Sequence, residues 1–554
     1  MTLAPRVGFA VATETWSKHI ASETPVELIR AIEEDERPRW VLWGREPMGL
    51  LVDGGLRLAK CWDIAAVQRL LVGGWRTDPG RAWAELHDLD GQPPVVAPVD
   101  LFTEPDDDRQ ADEPVRDDGF LKPEWLAPGF AWTPARLERW AQLAAQAASL
   151  QQARLAILGD RPKALSTARS ESAAELLCAE LSADGLPMDR GVAESIIESF
   201  VGPRPRTETE AAEQRLARDA EVLFHSSNPN CDLRNPAQVK SLLRGIGVEL
   251  PDTRAWRLEA IRGSHPLVDA LLEWRKAERI ATTFGYGWLD EHLGRDGRLR
   301  GEWSASDGAA GRMTASAGLH NMPAHLRPAV IANQGHVFVR ADLGQIEPRI
   351  LAAVSGDRAL AEAAVQDDMY LPVAEQLGVD RATAKVAVLG AMYGQTTGHG
   401  AAALRGLEQA YPVAMRYLTD ADVAGQVGRD IRTYGGRLVR MGSAVADALS
   451  DRDNRSRAAA RGRYGRNAMV QGAAAEFFKV WAVMVRSRAA ELDAEIVLCL
   501  HDELLVHAGA DKGSAVAQLI VDCLMGAARH WAPDNAVRFV ADVSVISRWS
   551  DSKN

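Results

Sequence analysis

Two aspartates far apart in the chain, Asp342 and Asp502, stand where strand-like runs give out. In "IVLCLHDELLVHAG", residues 496–509, an apolar β-type run from Ile496 to Leu500 is interrupted by His501, Asp502 and Glu503, then resumes at Leu504. The polar triplet therefore belongs at a tight turn or strand end beside a core. Two adjacent carboxylates there are costly to desolvate unless a cation or hydrogen bonds satisfy them. In "HVFVRADLGQIEPRILAAVSGD", residues 336–357, Val337, Val339 and Ala341 alternate, and after Asp342 the spacing turns helical through Ile346, Ile350 and Leu351. Strand-end aspartates from distant segments can converge on one face of a sheet. A carboxylate pair sharing divalent ions is what two-metal phosphoryl or nucleotidyl transfer requires: one ion activates the attacking hydroxyl, the other stabilises the leaving oxygen. Mg²⁺ suits such a site, because it takes few carboxylates and keeps room for phosphates and water. Each aspartate also has a plainer reading: a solvated hairpin turn for Asp502, a helix N-cap for Asp342.

A third stretch, "RATAKVAVLGAMYGQ" (381–395), sets Arg381, Lys385, Leu389 and Tyr393 at successive i, i+4 steps along one helix face. Cations at one end can grip a triphosphate, while the aliphatic and aromatic end can pack near a base or sugar. An Arg–Lys pair at this spacing is mildly repulsive unless an anion sits between them. An ordinary surface helix shows the same pattern.

The elements that must position these residues belong to a long chain. Its 554 residues exceed what one core supports and predict three or four domains. Hydrophobic content of 46% and charged content of 25% are ordinary for a globular protein. No apolar run approaches the ~20 residues that span a bilayer, and the N-terminus lacks a signal-peptide pattern. The five cysteines are scattered with no CxxC pair, which argues against a zinc site or a disulfide framework and fits a reducing cytoplasm. The net charge of −12 is unevenly spread. Residues 104–118 hold eight acids against two arginines and read as a solvated loop; residues 429–466 hold ten arginines against four aspartates, either a phosphate-facing surface or a solvated helix. Residues 1–100 read as a small α/β unit, with "RWVLWG" and "MGLLVDGG" as strands and "IAAVQRLLVGG" as a helix. Helices are predicted at 235–247, with Asn235 as N-cap and Pro236 in the first turn, and at 265–285. From 301 strands alternate with helices.

The three segments resemble motifs A, B and C of family A DNA polymerases, the bacterial DNA polymerase I type. Motif A, D-Y-S-Q-I-E-L-R in the family, reads Asp342-Leu343-Gly344-Gln345-Ile346-Glu347-Pro348-Arg349 here. Motif B, R-x3-K-x6-7-Y-G, is matched by Arg381, Lys385, Tyr393 and Gly394, and motif C by Leu500-His501-Asp502-Glu503. "GRMTAS" (311–316), "LHNMP" (319–323) and "RYGRNAMVQG" (463–472) resemble smaller family signatures in the same order. The resemblance covers about residues 171–554.

It implies an α/β multidomain fold: a right-hand polymerase of palm, fingers and thumb with an N-terminal α/β exonuclease-like domain. The expected domains are 1–165 (exonuclease-like, with the acidic loop 104–118), 171–300 (thumb), 301–370 with 480–554 (palm) and 371–479 (fingers). The implied function is template-directed addition of dNTPs to a primer 3′-OH, in repair or gap filling, by a cytoplasmic monomer that binds primer–template DNA and no membrane. The implied catalytic set is Asp342, Asp502, Glu503 and Lys385. Asp342, Asp502 and the Leu343 carbonyl would hold two Mg²⁺ ions. Gln345, Glu347, Arg381, Lys385, Leu389 and Tyr393 would bind the nucleotide, with Lys385 protonating the leaving pyrophosphate and Glu347 gating against a ribose 2′-OH. Arg312, Asn321, Arg463, Asn467, Gln471 and His501 would contact DNA.

The chain departs from the family pattern at Leu389 (an aromatic in the family), Tyr370 (His) and Pro348 (Leu). The N-terminal region lacks the D-x-E and Y-x3-D or H-x3-D motifs of a proofreading nuclease; Asp63 is its one candidate survivor, so that domain is expected to be inactive, and no room is left for a separate 5′-nuclease domain. Competing functions are a catalytically weak primer–template binding protein, an enzyme that retains 3′–5′ exonuclease activity, and a single-subunit RNA polymerase, which Glu347 opposes.

Overall fold

The computed structural model describes all residues except 75–76, 92–111, 227, 308–309, 395–399, 443–450, 533–536 and 552–554. Most of the acidic loop (104–111) and part of the arginine-rich stretch (443–450) thus lie outside the described residues. The chain forms two compact units: Met1–Asp184 with Glu302–Thr314 and Val337–Val545, and Gly185–Gly301 with Ala315–His336 and Ile546–Asn554.

The first unit opens with an antiparallel sheet of Thr2–Ala4, Gly8–Ala12 and Ser17–Ala21, followed by a parallel pair, Trp40–Leu42 beside Cys61–Asp63. "RWVLWG" and "IAAVQRLLVGG" form the expected strand and helix. "MGLLVDGG" does not form a strand. It lies in the helix Arg45–Asp53, whose buried Met48 and Leu51 are three residues apart, a helical and not a two-residue period. Asp63 caps the helix Ile64–Val72, accepting from Ala66 N at 2.6 Å. Burial, then the nearby Glu175, pushes its carboxyl up to about 7. The candidate nuclease survivor is thus a buried helix cap.

The helix Ala164–Asp184 crosses the expected 165/171 boundary and belongs to the first unit, because most of its faces are covered. It is joined to the long helix Asp451–Ala489 through charge: the fully buried Glu171 pairs with Lys479 and, at 2.7 Å, with Arg437. Lys479 also donates to the carbonyls of Ala305 and Gly311. The apolar stretch of this long helix, long enough to cross a membrane, is 83% buried in protein. Among the described residues, at least five of the ten arginines between 429 and 466 spend donors on the protein itself. Arg432 and Arg440 bond the carbonyls of Leu71 and Val72 at 2.9 and 2.5 Å, where the helix Ile64–Val72 leaves acceptors free. Arg437, Arg461 and Arg466 do likewise elsewhere. The stretch is therefore in good part a set of internal ties.

A four-stranded sheet, ordered Glu495–Cys499, Glu503–Gly509, His336–Gly344, Val540–Ile546, forms the platform of this unit. The segments expected as palm and fingers both fall in this unit, except 301, 315–336 and 546–554.

The second unit is mainly helical. Its core gathers Val222, Leu242, Leu243, Leu258, Leu271 and Trp274. Asn235 caps Pro236–Gly245 by accepting from Ala237 N and Gln238 N, and Pro266–Thr283 forms the second expected helix.

Glu476 accepts from Thr433 Oγ1 and, at 3.0 Å, from Gly435 N, and burial pushes it up to about 7. A raised carboxyl pKa favours the fold when protonated, so this contribution is full below about 4.5 and lost as pH rises through about 7. Glu476→Gln, which mimics the protonated form, should therefore gain stability relative to the wild type as pH rises from about 4.5 to about 7 and hold that gain above it. Urea unfolding of both proteins at pH 5 and pH 8 checks this; a pH-independent difference would refute it.

Candidate active site

The strands Glu495–Cys499 and Glu503–Gly509 pair antiparallel, and Leu500 N donates to Glu503 O at 2.8 Å, so His501 and Asp502 form a two-residue hairpin tip. The turn reading of Asp502 is geometrically right, yet the tip is not idle. Its Asp502 carbonyl accepts from Leu343 N at 2.7 Å, tying the hairpin to the end of His336–Gly344. Asp342 is a strand residue and not an N-cap; the cap of the next helix, Ile346–Ser355, is Gln345. The two aspartates thus meet at one end of the sheet. Burial pushes Asp502 up to about 6, followed by repulsion from Asp342 and Glu503. Asp342 is also raised, by burial first and by Glu503 and Asp542 after it.

Alternation along a strand puts Phe338, Arg340 and Asp342 on one face. One nitrogen of Arg340, Nη2, donates to Asp342 Oδ2 at 2.7 Å and to Glu503 Oε2 at 2.6 Å. Arg340 and Glu503 are buried, whereas the Asp342 side chain is 38% exposed. Glu503 therefore faces an internal cation, and Asp342 and Asp502 face outward.

The helix Arg381–Tyr393 bears the predicted stripe, with Arg381 and Lys385 exposed and Leu389 and Tyr393 half-buried. Asp380 caps it through Thr383 N. The Tyr393 hydroxyl donates to Glu347 Oε2 at 2.7 Å, and Arg312 Nη2 donates to Glu347 Oε1 at 2.8 Å. Gln471 also bonds the Tyr393 hydroxyl, whose pKa burial and Glu347 push up to about 12. Gly394 ends the helix at φ 68°, a left-handed conformation suited to glycine, and a Cβ there would come within 2.9 Å of Arg463 Cγ. Arg312, Glu347, Tyr393, Gln471 and Arg463 therefore form one continuous group. Asn467 is half-buried one turn along the long helix from both Arg463 and Gln471, and His501 is exposed on the hairpin tip. Asn321 lies in the second unit, where its carbonyl accepts from Arg279.

Three residues that the sequence reading passed over hold this arrangement. Arg340 is the first; its signal is a lone charge in an apolar strand at two residues from Asp342. Asp368 is the second. It accepts from Arg381 Nε, from Gln345 Nε2 at 2.8 Å and from Tyr370 N at 3.0 Å. Burial raises its pKa, but these bonds outweigh burial and hold it below the usual carboxylate range. Gln345 is thereby committed to Asp368 and Met369, which explains how a non-glycine residue keeps φ at 57°. Arg349 is the third: fully buried, it donates to the carbonyls of Gly344, Ala364, Gln366, Asp367 and Arg538. No sequence period announces Asp368 or Arg349 in these roles, because their partners are backbone groups or distant side chains.

The sequence profile of DNA polymerase family A matches residues 207–551. The chain belongs to this family. It is similar to the thermostable DNA polymerase I of Thermus thermophilus, 29% identical over 302 residues, which covers 50% of this chain and 36% of that protein. DNA polymerase I of Deinococcus radiodurans is 27% identical over 380 residues, covering 61% of this chain and 38% of that protein. The chain thus spans well under half the length of these curated relatives. Among solved structures, the POL domain of Pol1 from M. smegmatis, in complex with DNA primer-template and dNTP, superposes with a TM-score of 0.68 at 22% identity, covering 98% of this chain and 92% of that one. The fold is a family A polymerase fold.

Among the described residues no group of three or more His, Cys, Asp and Glu is arranged to hold a metal. The Asp342 and Asp502 pair still suits a hard cation that draws its other ligands from water and phosphate: its donors are all oxygen, and burial first, then neighbouring carboxylates, raises both carboxyls. A divalent ion held there would compete with a proton for Asp502. Mn²⁺ binding to the nucleotide-free protein should weaken as pH falls through about 6, and Asp502→Asn should remove that pH step. Free-Mn²⁺ signals in paramagnetic resonance between pH 5 and 8 check it.

Proposed function

We propose that this chain is a template-directed DNA polymerase that adds dNTPs to a primer 3′-hydroxyl, in repair or gap filling, without proofreading. The observation that carries the reading is the meeting of Asp342 and Asp502, tied by the Leu343 N to Asp502 carbonyl bond, in a chain of DNA polymerase family A. The solved neighbour with primer-template and dNTP supports the choice of ligands.

Asp342, Asp502 and the Leu343 carbonyl would hold two Mg²⁺ ions, which when bound activate the primer hydroxyl and stabilise the leaving pyrophosphate. The protein's own residues supply the rest. Arg381 and Lys385 lie on one exposed helix face, one turn apart, and bind the triphosphate by charge. Lys385 makes no hydrogen bond or ion pair among the described residues and is available to donate its proton to the departing pyrophosphate. Arg381 must exchange the Asp368 carboxylate for phosphate, and an exposed ion pair of this kind is worth no more than about 1 kcal/mol. Glu347, held from both sides by Arg312 and Tyr393, presents a fixed wall to the sugar, which suits exclusion of a 2′-hydroxyl. Gln471 and Arg463 adjoin Tyr393 and Gly394, and with Asn467 on the same helix and the exposed His501 at the hairpin tip they suit contacts to the primer–template. Asp63 is consumed as a helix cap, which supports the absence of nuclease chemistry in the N-terminal region.

Primer extension on a labelled primer–template with Mg²⁺ tests the function. Wild type should extend with dNTPs, and Asp502→Ala should lose at least about 10³-fold in rate. Binding without extension would leave a primer–template binding protein, and shortening of the primer without nucleotides would restore the exonuclease. A companion substitution, Glu347→Ala, should raise rNTP incorporation relative to dNTP by about tenfold or more, the scale of one lost contact in a fixed pocket. An unchanged ratio would remove Glu347 from sugar selection.

A further inference from the structure

The function above asks Asp342 for oxygen ligands, but the metal-free protein already spends one of them. Arg340 Nη2 sits 2.7 Å from Asp342 Oδ2 and 2.6 Å from Glu503 Oε2. The arginine side chain is 4% exposed, so the guanidinium cannot swing into solvent without displacing packed groups. Phe338 precedes it on the same strand face and packs on His507, 5.7 Å between ring centres, and Glu503 beside it is buried.

A bond from a charged donor to a charged acceptor in a buried setting is among the stronger hydrogen bonds. A divalent ion that needs Oδ2 has to compete with it. Oδ1 and the Asp502 carboxylate carry no such bond to Arg340. The buried cation also cancels the Glu503 charge, so the acidic group stays assembled before any metal arrives.

We propose that Arg340 is a positioning residue that withholds Asp342 Oδ2: it preorganises Asp342 and Glu503 and weakens divalent-cation binding until the nucleotide is bound. This rests on Asp342 and Asp502 being the metal ligands. The counterpart is a simple division of labour. Arg340 keeps Asp342 and Glu503 together, and the triphosphate oxygens that arrive with the substrate make good the ligand that Arg340 holds back.

The test separates this competition from net charge. Arg340→Met alone leaves Glu503 buried without its cation and can fail to fold. The double variant R340M/E503Q removes one positive and one negative charge, so the formal charge of the site is unchanged. Mn²⁺ binding to nucleotide-free, DNA-free protein is measured by the free-ion paramagnetic resonance signal, with Asp342→Ala as the control for the site. R340M/E503Q should bind Mn²⁺ about tenfold more tightly than wild type, the scale of one charge-assisted hydrogen bond. On adding dNTP with primer–template, the difference should shrink to within about twofold, because the resting competition no longer applies. Equal or weaker Mn²⁺ binding by the folded double variant overturns the proposal. Primer extension by the wild type, run in parallel, reports on the polymerase reading separately: extension with an unchanged Mn²⁺ affinity sinks only the Arg340 proposal, while tightened Mn²⁺ binding without extension sinks only the polymerase.

Discussion

Holding Asp342, Asp502 and Glu503 together at one end of a sheet sets like charges against each other in a partly desolvated place, and much of the first unit answers that problem. Asp502 and Asp342 both have raised pKa values, from burial first and then from neighbouring carboxylates: Asp342 and Glu503 for Asp502, Glu503 and Asp542 for Asp342. Left alone, they would be protonated or pushed apart. Two devices prevent this. The backbone bond from Leu343 N to Asp502 O locks the hairpin tip to the neighbouring strand, so separation would break a ladder contact. Arg340 places one positive charge beneath Glu503 and Asp342. The register of the hairpin is then not free. A one-residue slip would turn Glu503 outward and Asp502 inward, and it would bury the wrong carboxylate against Arg340. The apolar residues either side of the tip, Leu498 to Leu500 and Leu504 to Val506, are buried and hold that register.

The same device, one carboxylate held by opposed partners, recurs where the helix Arg381–Tyr393 meets the sheet. Glu347 is fixed between Arg312 and Tyr393, and Arg381 is fixed by Asp368. Deeper in the unit Glu171 is fixed between Arg437 and Lys479, fully buried. Pairs of that kind are no proof of stability, because desolvation offsets much of their attraction. They do fix position. Lys479 holds the carbonyls of Ala305 and Gly311, and Arg312 follows Gly311 directly, so the buried cation sets where the Glu347 partner begins. The N-terminal region takes part in the same framework. Its helix Ile64–Val72 ends on Arg432 and Arg440, and its helix Ala164–Asp184 supplies Glu171. The N-terminal region thereby has a mechanical role in the unit.

What the sequence made legible follows from which forces act locally. The stripe Arg381, Lys385, Leu389, Tyr393 was readable because helical spacing alone decides which side chains share a face. The strand-end positions of Asp342 and Asp502 were readable from where apolar alternation stops. Asn235 as a cap was readable because its partners lie two and three residues on. "MGLLVDGG" was misread because a short apolar run fits either period, and tertiary burial of Met48 and Leu51 decided it. The arginine-rich stretch 429–466 was half misread for a related reason. Charge composition does not say whether a guanidinium faces solvent or a helix end, and Arg432 and Arg440 find carbonyls more than 350 positions away in the chain. Asp368 and Arg349 were invisible on the same ground, since their role is defined by backbone groups that only the fold brings near.

The departures from the family pattern are best judged by what surrounds them. Pro348 stands third in the helix Ile346–Ser355, where its missing N–H would have had no intrahelical partner, so the substitution is neutral for the backbone. Tyr370 is a larger change. Where the family pattern has a histidine, able to carry charge, this chain has a buried phenol raised to about 12 and therefore neutral. The Tyr370 ring lies 5.7 Å from the Arg381 guanidinium and offers it a π face in place of a second cation. With Asp368 on its other side, Arg381 is bracketed by one anion and one aromatic ring. In the proposed reaction the helix Arg381–Tyr393 offers a triphosphate the positive charge of Arg381 and Lys385, with Asp368 subtracting from it. The triphosphate, carrying several charges, can displace a single half-exposed carboxylate; a ligand with one phosphate gains far less from the same exchange. In that proposed reaction the Asp368–Arg381 pair would favour the fully charged nucleotide, and the Asp367 and Gln366 carbonyls beside Asp368 are held by Arg349.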